Sequence, residues 1–165
     1  MTKVLRAHGP TRPEGSQLRY RLHPVETDED WSNLHHIRRT VLFAAGRHSV
    51  DYDENHPDDR KAGNIPYLLM LEDWAMGVVR IDYRGNIAVV RLVAILESEQ
   101  GKGHGRQLNT MIEAEAKRHG IETLRVNAAP GAVGYYEKMG WQHATWNTKE
   151  LSGLAKDCVQ MTKVL

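Results

Sequence analysis

The chain predicts a mixed α+β fold (α/β mixed) whose sheet is mostly antiparallel. Three observations predict it. Three strand-like segments follow one another between residues 65 and 96, and Arg84-Gly85-Asn86 offers hairpin chemistry between the last two. Residues 106–119 then carry apolar side chains at helical spacing and stop at Gly120. Two strand-like segments, 141–146 and 158–165, close the chain.

The elements read as follows. Leu18 to Leu22 alternates apolar and polar residues, as a first strand does. Thr27 is an N-cap followed by acidic residues, and Trp31, Leu34, Ile37, Val41 and Leu42 continue at helical spacing, so a helix is expected to about Ala45 with Gly46 as its stop. Residues 49–64 are polar and acidic and read as a loop or loosely helical excursion. Ile65 to Leu71 is a strand, Asp73 to Gly77 a turn, Val78 to Tyr83 a second strand and Ile87 to Leu96 a third, interrupted by Arg91. Glu97 to Gly105 is glycine-rich, and Leu108, Met111, Ile112 and Ala116 mark the apolar face of the helix after it. Ile121 to Ala128 is a strand, Gly131 to Met139 a short helix, and Lys149 to Ala155 a helical turn inside the closing pair.

The 165 residues suit one domain, with 18–165 as the folded unit and 1–17, rich in Gly, Pro and Arg, as a flexible lead-in. A net charge of +1 favours neither nucleic acid nor a membrane surface as partner. Cys158 is the only cysteine, which rules out an intrachain disulfide framework and fits a reducing, cytoplasmic setting. No apolar run approaches the roughly 20 residues of a membrane span, and residues 1–17 lack a signal-peptide core. The histidines lack compact ligand spacing, so no metal is expected.

Gln100-Gly101-Lys102-Gly103-His104-Gly105 lies between a strand and an amphipathic helix. A helix N-terminus presents unpaired N–H groups and partial positive charge, and glycines let those groups close around phosphate oxygens. Lys102, His104 and Arg106 add donors, so the turn suits a pyrophosphate. It is not a P-loop, which requires Gly-x-x-x-x-Gly-Lys with Ser or Thr, and the spacing by two differs from the dinucleotide fingerprint.

Gln100, Gly103 and Gly105, following the strand residues 91–96, resemble the pyrophosphate signature of the GCN5-related N-acetyltransferase superfamily. A second block, Asn127 and then residues 132–141 with Tyr135, Tyr136, Glu137, Lys138, Gly140 and Trp141, resembles that family's Ala-x-x-aromatic-Tyr-Glu-Lys-x-Gly-aromatic element. The resemblance implies a twisted, mostly antiparallel central sheet flanked by helices. It implies that acetyl-CoA is the cosubstrate, with backbone groups of Val93, Ala94 and Ile95 pairing with its pantetheine arm where two strands splay. Gln100, Gly101, Lys102, Gly103, His104, Gly105 and Arg106 would hold the pyrophosphate, and Asn127 would contact the arm from the other side. Tyr136 would stand near the sulfur as the acid, while Tyr135 is assigned to core packing. Homodimers are frequent in the family.

The reaction implied is direct attack of an amine on the thioester, yielding an N-acetylated acceptor. A tyrosine near pKa 10 reprotonating a thiolate of about 8.5 is uphill by only about 2 kcal/mol. An alkyl ammonium near pKa 10.4 must lose a proton first, a deficit of roughly 4.6 kcal/mol at pH 7, so a base or a desolvating pocket is required. Some family members place a glutamate where this chain has Arg91; Glu72, Asp82 and His48 remain as bases. The acidic run Asp51 to Asp59, with Tyr52, offers attraction for a cationic amine or is a solvated loop. Two other readings stay open: an acetyl-CoA-binding sensor or partner-binding module without turnover, and an unrelated phosphate-binding protein.

Overall fold

The computed structural model describes residues 19–44 and 51–165. Expectations for 1–18, for Ala45, Gly46 and His48, and for the start of the acidic loop lie outside the described residues.

Strand β1 (Tyr20–Pro24) leads into helix α1 (Asp28–Ile37). Thr27 caps that helix: its Oγ1 accepts from the Asp30 N–H at 3.1 Å, and the Asp30 carboxylate accepts from the Thr27 N–H at 3.1 Å. The expected run to Ala45 is overturned, because the α-helix gives way to a π-turn over Arg38–Leu42, closed by the Phe43 N–H on the Arg38 carbonyl. A π-turn inserts one residue and re-aims those after it. Here Arg38 is only 1% exposed. A 3₁₀ turn, Pro57–Arg60, precedes the meander β2 (Asn64–Leu71), β3 (Trp74–Arg84) and β4 (Ile87–Ile95).

The expected turn at Asp73 to Gly77 is corrected. The chain reverses at Glu72-Asp73, with Glu72 at φ 54°, and β3 begins at Trp74 opposite Leu71. Gly77 is a strand residue because a Cβ there would sit 2.7 Å from the Ala94 carbonyl oxygen. Beyond β4, α2 spans His104–Arg118, starting two residues earlier than expected with Gly103 at its N-cap. β5 (Thr123–Ala128), α3 (Val133–Lys138), β6 (Gln142–His143) and β7 (Val159–Val164) complete the fold.

The strand expected over 141–146 shrinks to two residues for a definite reason. The Gln160 Oε1 accepts from the Trp146 and Asn147 N–H groups at 2.8 and 2.9 Å, so a side chain replaces the ladder. The helical turn expected over 149–155 is two separate 3₁₀ turns, Thr148–Glu150 and Gly153–Ala155.

The sheet has the order β1-β2-β3-β4-β5-β7-β6, and β4–β5 is its parallel pair. Alternation along β2 divides two cores: Tyr67 and Leu69 join Leu108, Ile112, Ala116, Tyr136 and Trp141, while Leu68 and Met70 join Leu34, Ile37 and Val41. Helices thus cover both faces, with α1 on one side and α2 with α3 on the other. Among the described residues no helix is long and apolar enough to cross a membrane.

Candidate active site

The site begins with a fault in the β3–β4 ladder. Val78 pairs with Ala94, but Arg80 pairs with Arg91, so Val79 faces two residues, Leu92 and Val93. Leu92 takes φ 54°, the left-handed region that a branched side chain rarely adopts. On its other side β4 pairs with β5 only through Ile87, Ala88, Val89 and Val90. From Arg91 to Ile95 the edge toward β5 has no strand partner. Its backbone groups can accept an extended, amide-bearing arm as a strand would.

A cavity of about 560 Å³ opens at this splay. Leu92, Val93, Asn127, Ala129, Tyr136 and Cys158 line it, together with Arg38, Phe43, Tyr52, Asp59, Arg80 and Arg91. The structure therefore brings Val93, Asn127 and Tyr136 together around one space.

Tyr136 is 6% exposed and packs edge-on against Trp141 at 5.2 Å. Burial pushes its phenol well above the usual tyrosine value, with smaller contributions from Tyr135 and Cys158. Burial, and then Asp157, pushes the Cys158 thiol up in the same cavity. A thiolate formed in this cavity would be disfavoured by desolvation as well, in the same direction as the phenolate. Tyr135 packs against the core as assigned, but at its margin. It is only half-buried, and its Oη donates to the Gly105 carbonyl, tying α3 to the start of α2. Tyr136 is the more buried of the two because α3 turns it toward Trp141.

The glycine loop lies beside the end of β4 and does not line the cavity. Gln100 Nε2 donates to the Ile95 carbonyl at 2.9 Å, folding the loop onto the strand. Gly101 and Gly103 take φ 78° and 89°, and no side chain caps α2. A Cβ at either glycine would meet nothing within 4 Å, so the loop leaves space beside the start of α2. Gly105 has φ outside the left-handed region, and a Cβ there would meet the Tyr135 ring at an ordinary contact distance. His104 points inward: Nδ1 bonds Tyr20 Oη at 2.8 Å and Nε2 lies 3.4 Å from Glu99. Only its backbone is available to a ligand. Lys102 reaches Glu99 at 3.1 Å, and Arg106 is exposed on the first turn.

Asn127 belongs to a relay of polar side chains. Gln160 Nε2 donates to its Oδ1 at 3.0 Å, and its Nδ2 donates to Glu150 at 3.0 Å. Glu150 holds Arg91 through two bonds, 2.7 and 3.2 Å. Arg91 Nε reaches Asp82 at 2.8 Å, Asp82 pairs with Arg80, Arg80 with Asp59, and Asp59 with Arg38 at 2.7 Å. Burial alone would raise Glu150, but the Arg91 bonds and charge, with Asn127, hold it below the usual carboxylate range. Asp59 follows the same pattern, with Arg38 and Arg80 overcoming burial.

Asp82 is thus engaged by two arginines. Glu72 accepts from the Arg19 backbone and guanidinium at the β2–β3 turn, away from the cavity. His48 lies outside the described residues. Sequence reasoning missed a better-placed pair: His35 Nδ1 bonds the hydroxyl of cavity-lining Tyr52 at 2.5 Å. Burial first, and then the Arg38 charge, pushes His35 below the usual histidine range, while burial pushes the Tyr52 phenol up. The clue available in sequence was Tyr52 inside an acidic run, with no indication that it folds back onto α1. Of that run, Asp51, Asp53, Asp58 and Asp59 line the cavity, with the first two exposed. Among the described residues no group of three or more His, Cys, Asp or Glu is placed to hold a metal.

The family model described as "Acetyltransferase (GNAT) domain" matches residues 60–165. The ribosomal-protein-S18-alanine N-acetyltransferase of Escherichia coli superposes with a TM-score of 0.67 at 17% identity, covering 88% of this chain and 94% of that one. A Bacillus subtilis acetyltransferase in complex with CoA superposes at 0.63 and 19% identity, covering 90% and 99%. A Bacillus subtilis (strain 168) chain provisionally named an acetyltransferase is 24% identical over 122 residues, 73% of this chain and 82% of its own length.

Proposed function

Because the chain belongs to the acetyltransferase (GNAT) family, we propose that it moves an acetyl group from acetyl-CoA to the nitrogen of an amine acceptor. The observation that carries this reading is the parting of β4 from β5 after Val90, which leaves the edge from Arg91 to Ile95 unpaired beside a cavity that also holds Tyr136. The residues fit the cosubstrate: an open strand edge for its amide-bearing arm, and an uncapped helix start with room at Gly101 and Gly103 for its pyrophosphate. The active unit is the domain from residue 18 to 165, working in the cytoplasm, where a lone thiol such as Cys158 stays reduced.

The thioester supplies an activated acetyl group. Val93, Ala94 and Ile95 orient it through their backbones, and a free N–H on this stretch polarises its carbonyl. Gln100, Gly101, Lys102, Gly103, Gly105 and Arg106 hold the pyrophosphate, largely through backbone N–H groups; His104 contributes its backbone alone. Asn127, held by Gln160 and Glu150, bonds the arm from β5. Tyr52 takes the proton that the amine loses and passes its own to His35, whose neutral imidazole is ready to receive it. Tyr136 keeps its proton at neutral pH and gives it to the departing sulfur.

Titration calorimetry of the protein with acetyl-CoA, ATP and NAD tests the reading. Micromolar binding of acetyl-CoA alone, with CoA release on adding amines, is expected. Binding without release from any amine would turn the assignment to a sensor module, and no binding by folded protein would end it.

A further inference from the structure

Arg38 is among the most deeply buried large side chains of the protein, with 2% of its side chain exposed, yet its hydrogen bonding is half complete. Its Nη1 serves Asp59 at 2.7 Å and lies 3.4 Å from Tyr52 Oη. Among the described residues, its Nε and Nη2 have no partner. Native proteins rarely leave buried donors unpaired, because each has given up its bond to water with nothing in return. The two free atoms are not a random pair. Nε and Nη2 form the edge of a guanidinium from which two parallel N–H bonds point, the edge that matches a carboxylate.

Two further facts bear on what that edge would take. Arg38 lines the cavity, as do Tyr52 and Phe43. Its network is already balanced in charge: Arg38, Arg80 and Arg91 face Asp59, Asp82 and Glu150, three against three. The protein thus supplies enough negative charge for the group but leaves its carboxylate-shaped edge empty of oxygen. Asp51 and Asp53, exposed on the same cavity, favour a positive charge elsewhere on the same ligand.

We propose that the Nε/Nη2 edge of Arg38 seats a carboxylate on the acetyl acceptor, so that the acceptors of this protein are amino carboxylates and not simple amines. This rests on the acetyltransferase reading above. The free edge lies across the guanidinium from Nη1, and Nη1 is the atom near Tyr52. The nitrogen that surrenders its proton and the carboxylate are therefore set apart by about the width of the group. Both atoms are closed to solvent in this structure, so seating a carboxylate on them requires the Arg38 side chain or its neighbours to shift.

The test compares matched acids and amides. The full chain, with and without acetyl-CoA, is titrated with the standard amino acids, β-alanine and 4-aminobutanoate, and with the carboxamide of each; CoA release is followed in parallel. The expected result is that at least one acid binds and reacts about 10- to 100-fold better than its amide, the range for losing a charge-assisted bidentate contact. Arg38→Lys keeps a charge beside Asp59 but removes the fork, and with folding verified by its melting temperature it should bring acid and amide within about threefold. Equal handling of acids and amides, no acid binding to protein that holds acetyl-CoA, or a preference that survives Arg38→Lys would each overturn the proposal. Failure to bind acetyl-CoA would sink the acetyltransferase reading instead; selective acid binding in that sample would still uphold the Arg38 site, and its absence would overturn it.

Discussion

Arg91 on β4 and Glu150 on the C-terminal connection meet through two parallel bonds, Nη1 to Oε1 at 2.7 Å and Nη2 to Oε2 at 3.2 Å. They join the bulged strand to a segment of 3₁₀ turns that has little ladder of its own. Removing the carboxylate leaves Arg91 on Asp82 alone and strips Asn127 of its acceptor. Glu150→Ala is expected to cost about 1–3 kcal/mol in urea unfolding. It should also weaken acetyl-CoA binding, because Asn127 loses its orientation. Unchanged binding would separate Asn127 from the cosubstrate.

Gly103→Asp should reduce affinity for acetyl-CoA about tenfold or more by calorimetry. The carboxylate repels the pyrophosphate, and φ 89° strains any side chain. Gly103→Ala carries the backbone strain, about 1–2 kcal/mol, without the charge. The difference between the two isolates the electrostatic part. Equal effects would mean that no anion sits at the start of α2.

Tyr136→Phe should lower kcat by about 10- to 100-fold with acetyl-CoA affinity nearly intact. Among the described residues its hydroxyl has no hydrogen-bond partner, and its ring contact with Trp141 is kept, so the melting temperature should hold. Full turnover would remove Tyr136 from the acid role.

The basic limb of catalysis has a predicted sign. A base whose folded-state pKa is lowered remains proton-free further into acid. With His35 depressed, the acid limb of the kcat profile should lie below pH 6.5. His35→Gln and Tyr52→Phe should each lower kcat and flatten that limb. The same shift sets a stability trend: the unfolded chain binds a proton near pH 6.5 that folded His35 refuses, so stability is full above that pH and falls as pH drops toward the folded value. A limb unchanged in His35→Gln would point to another base.

Local patterns were legible in the sequence. The Thr27 cap, the Arg84-Gly85-Asn86 turn, the apolar face of α2 and the glycine loop each depend on neighbours within a few residues. Gly77 was misread as a turn, because a glycine demanded by a close backbone across the sheet looks the same in sequence as one demanded by a bend. The strand expected over 141–146 failed because Gln160, far along the chain, supplies its acceptors. The chain of charges from Arg38 to Glu150 was invisible for the same reason: its members are separated by register, bulge and π-turn. Tyr135 and Tyr136, adjacent in sequence, could be told apart only once the axis of α3 was known.

The strand edge beyond Val90 also bears on the hazard that unpaired strand backbone carries. Unpaired strand backbone at the rim of a sheet invites another chain to dock there and seed aggregates. Here the exposed stretch is on β4, fourth of seven strands, walled by β5 and β7 on one side and by β3 on the other. A gap in the middle of a sheet can receive a slender molecule but not the rim of a second sheet. Backbone left open at this point is thereby shielded from the edge strand of a second sheet.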